Sequence, residues 1–268
     1  MNSIGISDIE FDRFQRFIYD AAGITLSPAK KAMVCGRLSK RLQAHNLGSY
    51  GEYFSLLSSG KATGEMQTAI DLLTTNETYF FREPKHFDLL RKLALEAASR
   101  RQPFRVWSAA CSSGEECYSI AMVLADCLGD AQWDVLGSDI STRVLQRART
   151  GHYVLERTRH IPADYLKRFC LKGMGEQDGT LLVDRQIRSR VSFTQVNLNN
   201  SLPQLGSFDV VFLRNVLIYF NVETKQKVVA RVLEQLKPGG YFLVGHSESL
   251  NEINTSVRQV APSVYRKP

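Results

Sequence analysis

Acidic residues stand at two turns of this 268-residue chain where an α/β protein would bind a ligand. Asp139 follows the apolar run 133–138, and it lies 25 residues (139 − 114) beyond Gly114, the single glycine in the turn after the apolar run 104–109. A carboxylate at that spacing suits the two hydroxyls of a ribose, and a helix starting after Gly114 offers free backbone N–H groups. The spacing indicates a nucleoside site, with a purely structural turn as the alternative.

The composition of the first turn argues against a ligand that carries phosphates. The turn has one glycine where a dinucleotide-binding turn has three, and Glu115 and Glu116 would repel a pyrophosphate. We therefore expect a nucleoside with positive charge. S-adenosylmethionine, with its sulfonium and ammonium groups, fits this description.

Two further clusters place polar residues beside aromatic ones. Segment 74–84 combines threonines and an asparagine with three consecutive aromatic residues and Arg82. It contributes to a site, or it is an aromatic plug between two domains. In segment 213–220, Arg214 follows a predicted buried strand, where a guanidinium is costly unless it meets an anion. That anion is either a ligand or a structural carboxylate.

The first of the elements that must position these residues are helical and occupy residues 1–75. Ser7 and Glu10 predict a capping box at the start of an amphipathic helix that ends near Gly23. A proline after Ser27 predicts the start of a second helix, which runs to about residue 45. Two shorter helical segments are expected at 50–58 and 64–73.

From residue 103 onwards, apolar strands alternate with helices. We expect strands at 104–109, 133–138, 191–196, 208–213 and 241–244 and helices at 115–128, 141–150 and 223–236. This alternation predicts a parallel sheet covered on both faces, and therefore a doubly wound α/β domain.

The alternation breaks between residues 151 and 190. The extended runs 180–183 and 187–191 lie beside a loop that contains Gly173, Gly175 and Gly179. Short extended runs next to a glycine-rich loop predict a small antiparallel insertion.

Composition excludes several classes of protein. Apolar residues make up 44% of the chain and charged residues 23%, as in globular proteins, and no apolar stretch approaches the roughly 18 residues of a membrane span. The N-terminus does not read as a signal peptide. The five cysteines form no CxxC pair and the five histidines no HxxxH pair, so we expect reduced thiols, no metal and a cytoplasmic location.

Charge is unevenly distributed along the sequence. The net charge of +7, from 34 basic and 27 acidic residues, permits an acidic partner without identifying one. Segment 21–51 contains no acidic residue, and five basic residues lie in it: Lys30, Lys31, Arg37, Lys40 and Arg41.

Several motifs together closely resemble the chemotaxis receptor methyltransferases, the CheR family. They lie at 76–83, 107–119, 138–140, 214–220, 236–240 and 245–248. The resemblance spans nearly the whole chain. It implies a doubly wound Rossmann-like methyltransferase sheet with an N-terminal all-helical domain and a small inserted antiparallel β-subdomain. It also implies transfer of a methyl group from S-adenosylmethionine to glutamate side chains on the cytoplasmic helices of bacterial chemoreceptors.

The resemblance divides the chain into functional segments. It implies a receptor-recognition domain at 1–75, a linker and cofactor-contacting segment at 76–102 and the methyltransferase domain at 103–268, with the β-subdomain at 151–190. The implied cofactor-binding residues are Asn76, Thr78, Arg82, Glu116, Asp139, Asn197, Leu198, Arg214 and Asn215. The sequence departs from the common family pattern at Cys111, Ser113 and Cys117, which bears on the fine geometry of the turn.

The chemistry of the implied reaction requires no general base, because a glutamate is already ionised at pH 7. Arg82 and Tyr219 are therefore predicted catalytic residues that orient the incoming carboxylate. If Arg82→Ala lost cofactor affinity in full proportion to activity, Arg82 would be a cofactor ligand only.

The same resemblance suggests two receptor-binding surfaces. The basic residues Lys30, Lys31, Arg37, Lys40 and Arg41 would steer acidic receptor helices, although a solvated basic face is the alternative. The loop with Gly173, Gly175 and Gly179 resembles that of family members whose β-subdomain captures a C-terminal receptor pentapeptide by strand addition. We expect a monomer without nucleic-acid partners or membrane insertion.

Other functions remain possible from the residues alone. A methyltransferase for RNA or a small molecule is the nearest alternative, and it would need a pocket for its acceptor that no motif indicates. A non-catalytic, cofactor-binding regulator of receptors is a second alternative. A nicotinamide dehydrogenase is disfavoured by the missing glycines.

Overall fold

The computed structural model describes residues 4–251, 253 and 256–268. Its N-terminal part is helical, and its four helices are α1 (Asp8–Ala22), α2 (Lys31–Ala44), α3 (Tyr50–Ser59) and α4 (Glu65–Leu73). The predicted capping box is confirmed, since the Glu10 carboxylate accepts a 2.8 Å hydrogen bond from the Ser7 backbone N–H and the Ser7 hydroxyl accepts one from the Glu10 N–H. A core of Phe14, Ile18 and Leu38, all fully buried, holds the helices together.

The second helix begins later than predicted. A 3-10 turn at Pro28–Lys30 precedes α2, and the Ser27 side chain makes no capping hydrogen bond. Proline at the first position fixes a helical φ but leaves the geometry of the turn open, so the chain enters the α-helix only at Lys31.

The remainder of the chain forms two sheets and six helices among the described residues. The helices are α5 (Pro84–Ser99), α6 (Glu115–Leu128), α7 (Thr142–Thr150), α8 (Ala163–Phe169), α9 (Arg185–Arg188) and α10 (Val222–Glu234). The strands are β1 (Phe104–Ser108), β2 (Trp133–Asp139), β3 (His152–Val154), β4 (Cys170–Lys172), β5 (Thr180–Val183), β6 (Val191–Gln195), β7 (Phe208–Leu213), β8 (Leu236–Val244), β9 (Arg258–Ala261) and β10 (Val264–Arg266).

The large sheet has the strand order β6-β2-β1-β7-β8-β10-β9. The strands from β6 to β8 are parallel, as predicted, whereas β10 runs antiparallel to β8 and β9 antiparallel to β10. The chain builds outward from β1 on one side and then crosses to β7 on the other. Strand order therefore reverses between β1 and β7, which is where such sheets bind ligands.

Three details of this part differ from the sequence prediction. The C-terminal antiparallel pair was not expected, and β8 begins at Leu236, five residues before the start of the predicted strand 241–244. Segment 76–102, expected to be a linker, contains the 16-residue helix α5. Its buried residues Phe87, Leu90 and Ala94 pack in the same core as α6, so tertiary packing stabilises this helix.

The inserted subdomain is antiparallel, with the strand order β3-β5-β4. The prediction of an extended run at 187–191 was wrong for most of its length. The Asp184 carboxylate caps a short helix by accepting from the N–H of Gln186, and Ile187 is buried within that helix, α9. The predicted run 180–183 is the central strand β5.

Direct contacts fix the helical domain over the carboxyl ends of the parallel strands. The Asp71 carboxylate of α4 caps α7, because it accepts from the N–H groups of Thr142 and Arg143 and from the Thr142 hydroxyl. The Ala21 carbonyl accepts from Asn197 at 2.6 Å. In the part of the chain that the structure describes, no helix is long and apolar enough to cross a membrane.

Candidate functional site

A cleft that is open to solvent lies at the point where the strand order reverses. Its walls come from the carboxyl ends of β1, β2 and β7, from segment 74–78 and from the end of α1. All the predicted cofactor-binding and catalytic residues line it: Asn76, Thr78, Arg82, Glu116, Asp139, Asn197, Leu198, Arg214, Asn215 and Tyr219.

The turn after β1 forms the floor of the cleft. Ser112 has a φ of +49° and Gly114 a φ of +94°, and a Cβ on Gly114 would lie 2.9 Å from the Cβ of Ala148. This close approach explains the glycine. The Ser112 hydroxyl donates to the Asn76 carbonyl at 2.7 Å, which ties segment 74–78 to the turn.

Asp139 is buried at the end of β2 and is anchored by the backbone. Its two carboxylate oxygens accept from the N–H groups of Ser112 and Ser141, each at 2.9 Å. Burial raises the pKa of Asp139 to about 6, against the lowering effect of these two hydrogen bonds. The carboxylate is thus mostly ionised at pH 7 and can accept from hydroxyl groups of a ligand in the cleft.

Arg214 and Glu116 form a buried pair at the opposite wall. The Nε of Arg214 lies 3.0 Å from Oε2 of Glu116, and the Ser108 hydroxyl donates to Oε1 of Glu116 at 2.7 Å. The Arg214 side chain is 1% exposed. The anion that offsets its burial is therefore a carboxylate of the chain itself, one of the two alternatives left open by the sequence.

Glu115 does not face the cleft, contrary to the expectation that both acids of the turn would repel a phosphate there. It is fully buried, and its Oε1 lies 2.6 Å from Nη2 of Arg157. Only Glu116 of the two lines the cleft. The sequence could not separate them because adjacent residues at the start of a helix point in different directions.

Arg82 and Tyr219 both line the cleft. The guanidinium of Arg82 donates to the Glu77 carbonyl at 3.3 Å and lies 5.5 Å from the centre of the Tyr79 ring. Burial raises the pKa of Tyr219, against the nearby charge of Arg82 and a hydrogen bond with Thr75, so its phenol stays protonated at neutral pH.

Asn215 owes its position to a residue that the sequence reasoning did not assign to the site. Glu248, which is buried, accepts from the N–H groups of Asn215 and Gly245, each at 2.7 Å. These bonds hold Asn215 at a φ of +57°. The motif at 245–248 contains Glu248, but no role for this residue followed from the sequence. Ala22 and Ile24 also line the cleft, and no local pattern marked them.

The basic residues of segment 21–51 separate into two groups. Arg37 donates to the carbonyls of Leu73 and Thr74 at 3.2 and 2.9 Å, so it supports the cleft wall. Arg41 forms an ion pair with buried Glu65 at 2.6 Å.

The remaining three basic residues face solvent more openly. Lys30 and Lys40 are exposed, and Lys31 pairs with exposed Asp8 at 2.7 Å. The structure therefore places two of the five predicted receptor-binding residues in contacts within the chain.

One cluster of histidines and an acid could be mistaken for a metal site. Glu83, His86 and His246 bring ligand atoms within 4.8 Å of one another. However, the Arg214 guanidinium lies 2.9 Å from Nδ1 of His86 and 3.8 Å from Oε2 of Glu83. This buried positive charge would repel a metal ion.

The seven-stranded sheet, the switch point beside β1 and the acids at the ends of β1 and β2 define a Rossmann-like, S-adenosylmethionine-binding methyltransferase. Two family descriptions match the chain: "CheR methyltransferase, SAM binding domain" over residues 76–265 and "CheR methyltransferase, all-alpha domain" over residues 9–74. The chain belongs to the CheR family of chemotaxis methyltransferases.

Relatives match over almost the full length. The chain is 42% identical over 267 residues to "Chemotaxis protein methyltransferase" of Escherichia coli, covering 98% of this chain and 92% of that protein. It is 42% identical over 259 residues to "Chemotaxis protein methyltransferase 2" of Pseudomonas aeruginosa, covering 96% and 92%. Among solved structures, N-methyltransferase NodS of Bradyrhizobium japonicum in complex with S-adenosyl-l-homocysteine is similar with a TM-score of 0.40 and 15% identity, covering 69% of this chain and 87% of that one.

The residues of the cleft fit this cofactor. Asp139 offers a carboxylate to hydroxyl groups, and Glu116 offers a second to positive charge. When bound, S-adenosylmethionine supplies an activated methyl group on a sulfonium. The chain is a methyltransferase of chemotaxis that uses this cofactor.

Proposed function

We propose that the chain esterifies glutamate side chains on the cytoplasmic helices of chemoreceptors, and that it does so in the cytoplasm. The observation that supports the proposal is the charge environment of the Arg82 guanidinium. Across residues 4–251, 253 and 256–268, no carboxylate lies within 4.0 Å of its guanidinium, although it lines a cleft whose other arginine, Arg214, forms an ion pair with Glu116. A cation at this position is available for an incoming carboxylate.

The proposed acceptor needs no proton removed, because a glutamate is ionised at pH 7. Arg82 therefore has to orient the carboxylate rather than activate it. Binding it too strongly would slow the reaction, since the carboxylate loses negative charge as the ester forms. The single weak bond of Arg82 to the Glu77 carbonyl leaves its guanidinium free to adjust.

Tyr219 would complete the placement of the acceptor. Its phenol is protonated, lies beside Arg82 and can donate to a carboxylate oxygen. Alignment of the second oxygen with the methyl group then gives the near-attack geometry that enzymes of this kind exploit. Removal of water from the carboxylate and the sulfonium favours a step in which the two groups lose their opposite charges.

The proposal is tested by the fate of a transferred label. Purified protein, cofactor with a labelled methyl group and a receptor cytoplasmic fragment are incubated, and a matched fragment carries Gln for Glu at the accepting positions. We expect label on the first fragment only, and its release as volatile methanol in mild alkali, as an ester requires. Alkali-stable label would show that the product is not an ester and would overturn the proposal.

We further propose that Lys30, Lys31 and Lys40 steer acidic receptor helices toward the cleft. The support is their position on the outer side of α2 and of the turn before it, with Lys30 and Lys40 exposed. Charge pairs of this kind accelerate encounter and are screened by salt. Arg37 and Arg41 are assigned to structural support instead.

We also propose that the inserted subdomain binds a C-terminal receptor peptide as an added strand. Strand β4 lies at an edge of its sheet, and Leu171 in this strand and Met174 just after it are exposed by 54% and 83%. A Cβ on Gly173 would clash with the Gln177 carbonyl, so only glycine fits there. Titration of a receptor C-terminal pentapeptide in a calorimeter tests this, and absence of heat at high peptide concentration would remove the proposal.

A further inference from the structure

A buried chain of hydrogen bonds connects the C-terminal strand pair with the cofactor cleft. His86 on α5 is 2% exposed, and its Nε2 lies 2.9 Å from Oγ of Ser263, in the turn between β9 and β10. Its Nδ1 lies 2.9 Å from Nη1 of Arg214. His86 does not line the cleft, and the proposed reaction does not use it.

The direction of each proton in this chain follows from the groups at its two ends. Arginine can only donate, so Nδ1 of His86 must accept from Arg214. At the other end, the Ser263 hydroxyl donates to the Pro262 carbonyl at 2.7 Å, so its oxygen accepts from Nε2–H of His86. Both ends require the same state, a neutral imidazole with its hydrogen on Nε2.

Arg214 connects this chain of hydrogen bonds to two residues of the cleft. Its Nε lies 3.0 Å from Glu116, and its Nη2 donates to the Arg82 carbonyl at 2.7 Å. The guanidinium is also packed between aromatic rings, with its carbon 5.8 Å from the centre of Phe87 and 5.6 Å from that of Phe212. The third nitrogen, Nη1, lies 2.9 Å from Nδ1 of His86 and 3.8 Å from Oε2 of Glu83, so His86 is its near acceptor.

We propose that His86 is a positioning residue of the methyltransferase, whose neutral imidazole holds Arg214 in the orientation that fixes Glu116 and the backbone of Arg82. The inference rests on the cofactor site and not on the identity of the methyl acceptor. A protonated imidazole would turn an N–H toward Arg214 and break the chain.

The charged groups around His86 favour its neutral state on balance. Arg214 and His246 disfavour a charge on it, whereas Glu83, with Oε2 3.4 Å from Nδ1, favours one. Burial and the charge of Arg214 lower the pKa of His86 to about 4. The chain of hydrogen bonds is therefore intact at neutral pH.

Three substitutions at this one position separate positioning from packing. His86→Asn keeps an acceptor where Nδ1 lies, His86→Gln moves the polar group out to where Nε2 lies, and His86→Leu removes it. Binding of S-adenosylhomocysteine is measured by calorimetry, and urea unfolding is measured for each variant. We expect affinity close to the parent for Asn, and about tenfold or greater weakening for Gln and Leu, in keeping with the loss of a hydrogen bond to a charged group.

The outcomes are distinct. Equal weakening in the Asn and Gln variants, unchanged affinity in all three, or affinity that follows the urea midpoint throughout would each overturn the proposal. Should His86→Leu fail to fold, the Asn and Gln pair still decides. Failure of the parent to methylate a receptor fragment would refute the proposed acceptor and leave this binding comparison intact.

A second measurement uses the unaltered protein. The ¹⁵N shifts of the imidazole report directly which nitrogen carries the hydrogen. We expect the Nε2–H form, unchanged between pH 5.5 and pH 8, as the lowered pKa of about 4 implies. Protonation of His86 near pH 6, or hydrogen on Nδ1, would contradict the inference.

Discussion

Replacement of Arg82 by alanine should separate turnover from folding and from cofactor affinity. In the described residues, Arg82 makes one 3.3 Å hydrogen bond to a carbonyl, one cation–π contact and no ion pair. Its removal leaves no buried carboxylate without an ion-pair partner, so the free energy of unfolding should fall by less than about 1 kcal/mol. Removal of Arg214, by contrast, would leave Glu116 without its cation.

The loss in turnover should be much larger. A charge-assisted hydrogen bond that orients the attacking carboxylate lowers the activation barrier by about 2–4 kcal/mol. At 1.36 kcal/mol per decade, this corresponds to a roughly 30-fold to 1000-fold lower kcat/KM. Arg82→Lys keeps the charge but loses the planar fork, and we expect an intermediate value.

The assay is methyl transfer to a receptor fragment at saturating cofactor, alongside calorimetric titration with S-adenosylhomocysteine and urea unfolding. The orienting role predicts a cofactor Kd within about threefold of the parent, since the measured loss should lie in the chemical step. If the Kd weakens by the same factor as kcat/KM falls, Arg82 is a cofactor ligand and the reasoning from its free guanidinium is wrong.

Three further predictions follow from the contacts around the cleft. Arg37→Ala should lower turnover equally at low and high salt because Arg37 supports the cleft wall. Lys40→Ala should lower turnover only at low salt, since the charge of this exposed residue is screened at high salt. Methylation rates across a salt series check both predictions. Arg214→Ala should reduce the free energy of unfolding by about 3–5 kcal/mol, since it leaves a buried carboxylate unpaired, and urea denaturation measures this. Burial raises the pKa of Glu65, but the ion pair with Arg41 and other hydrogen bonds outweigh it and lower this pKa from 4.5 to about 2. The ionised Glu65 therefore stabilises the folded protein fully above about pH 4.5, and this stabilisation is lost as the pH falls toward 2. Unfolding midpoints at pH 5 and pH 3 should therefore differ less in Glu65→Gln than in the parent, and an equal difference would refute the assignment.

Periodicity and caps determined most of the secondary structure of the chain. The capping box at Ser7 consists of local hydrogen bonds and forms as the sequence predicts, and Ser141, where the predicted helix 141–150 starts, caps α7. The parallel strands β1, β2 and β7 were also predictable because each is a mostly apolar and buried run bounded by turn residues. Helix α5 was missed because it begins beside a polar and aromatic cluster, and packing against α6 stabilises it.

The sequence by itself also indicated most of the residues around the cleft, Asp139 and Arg214 from their places after predicted strands and the others from the resemblance to the family, but not Ala22 and Ile24. Only the tertiary structure decided how their charges are used. Arg214 is paired, Arg82 is free, and Arg37 and Arg41 turn inward, although all four are the same residue type in the sequence. The physical reason is that an ion pair depends on atoms brought within about 4 Å by distant parts of the chain, and no local pattern encodes that distance.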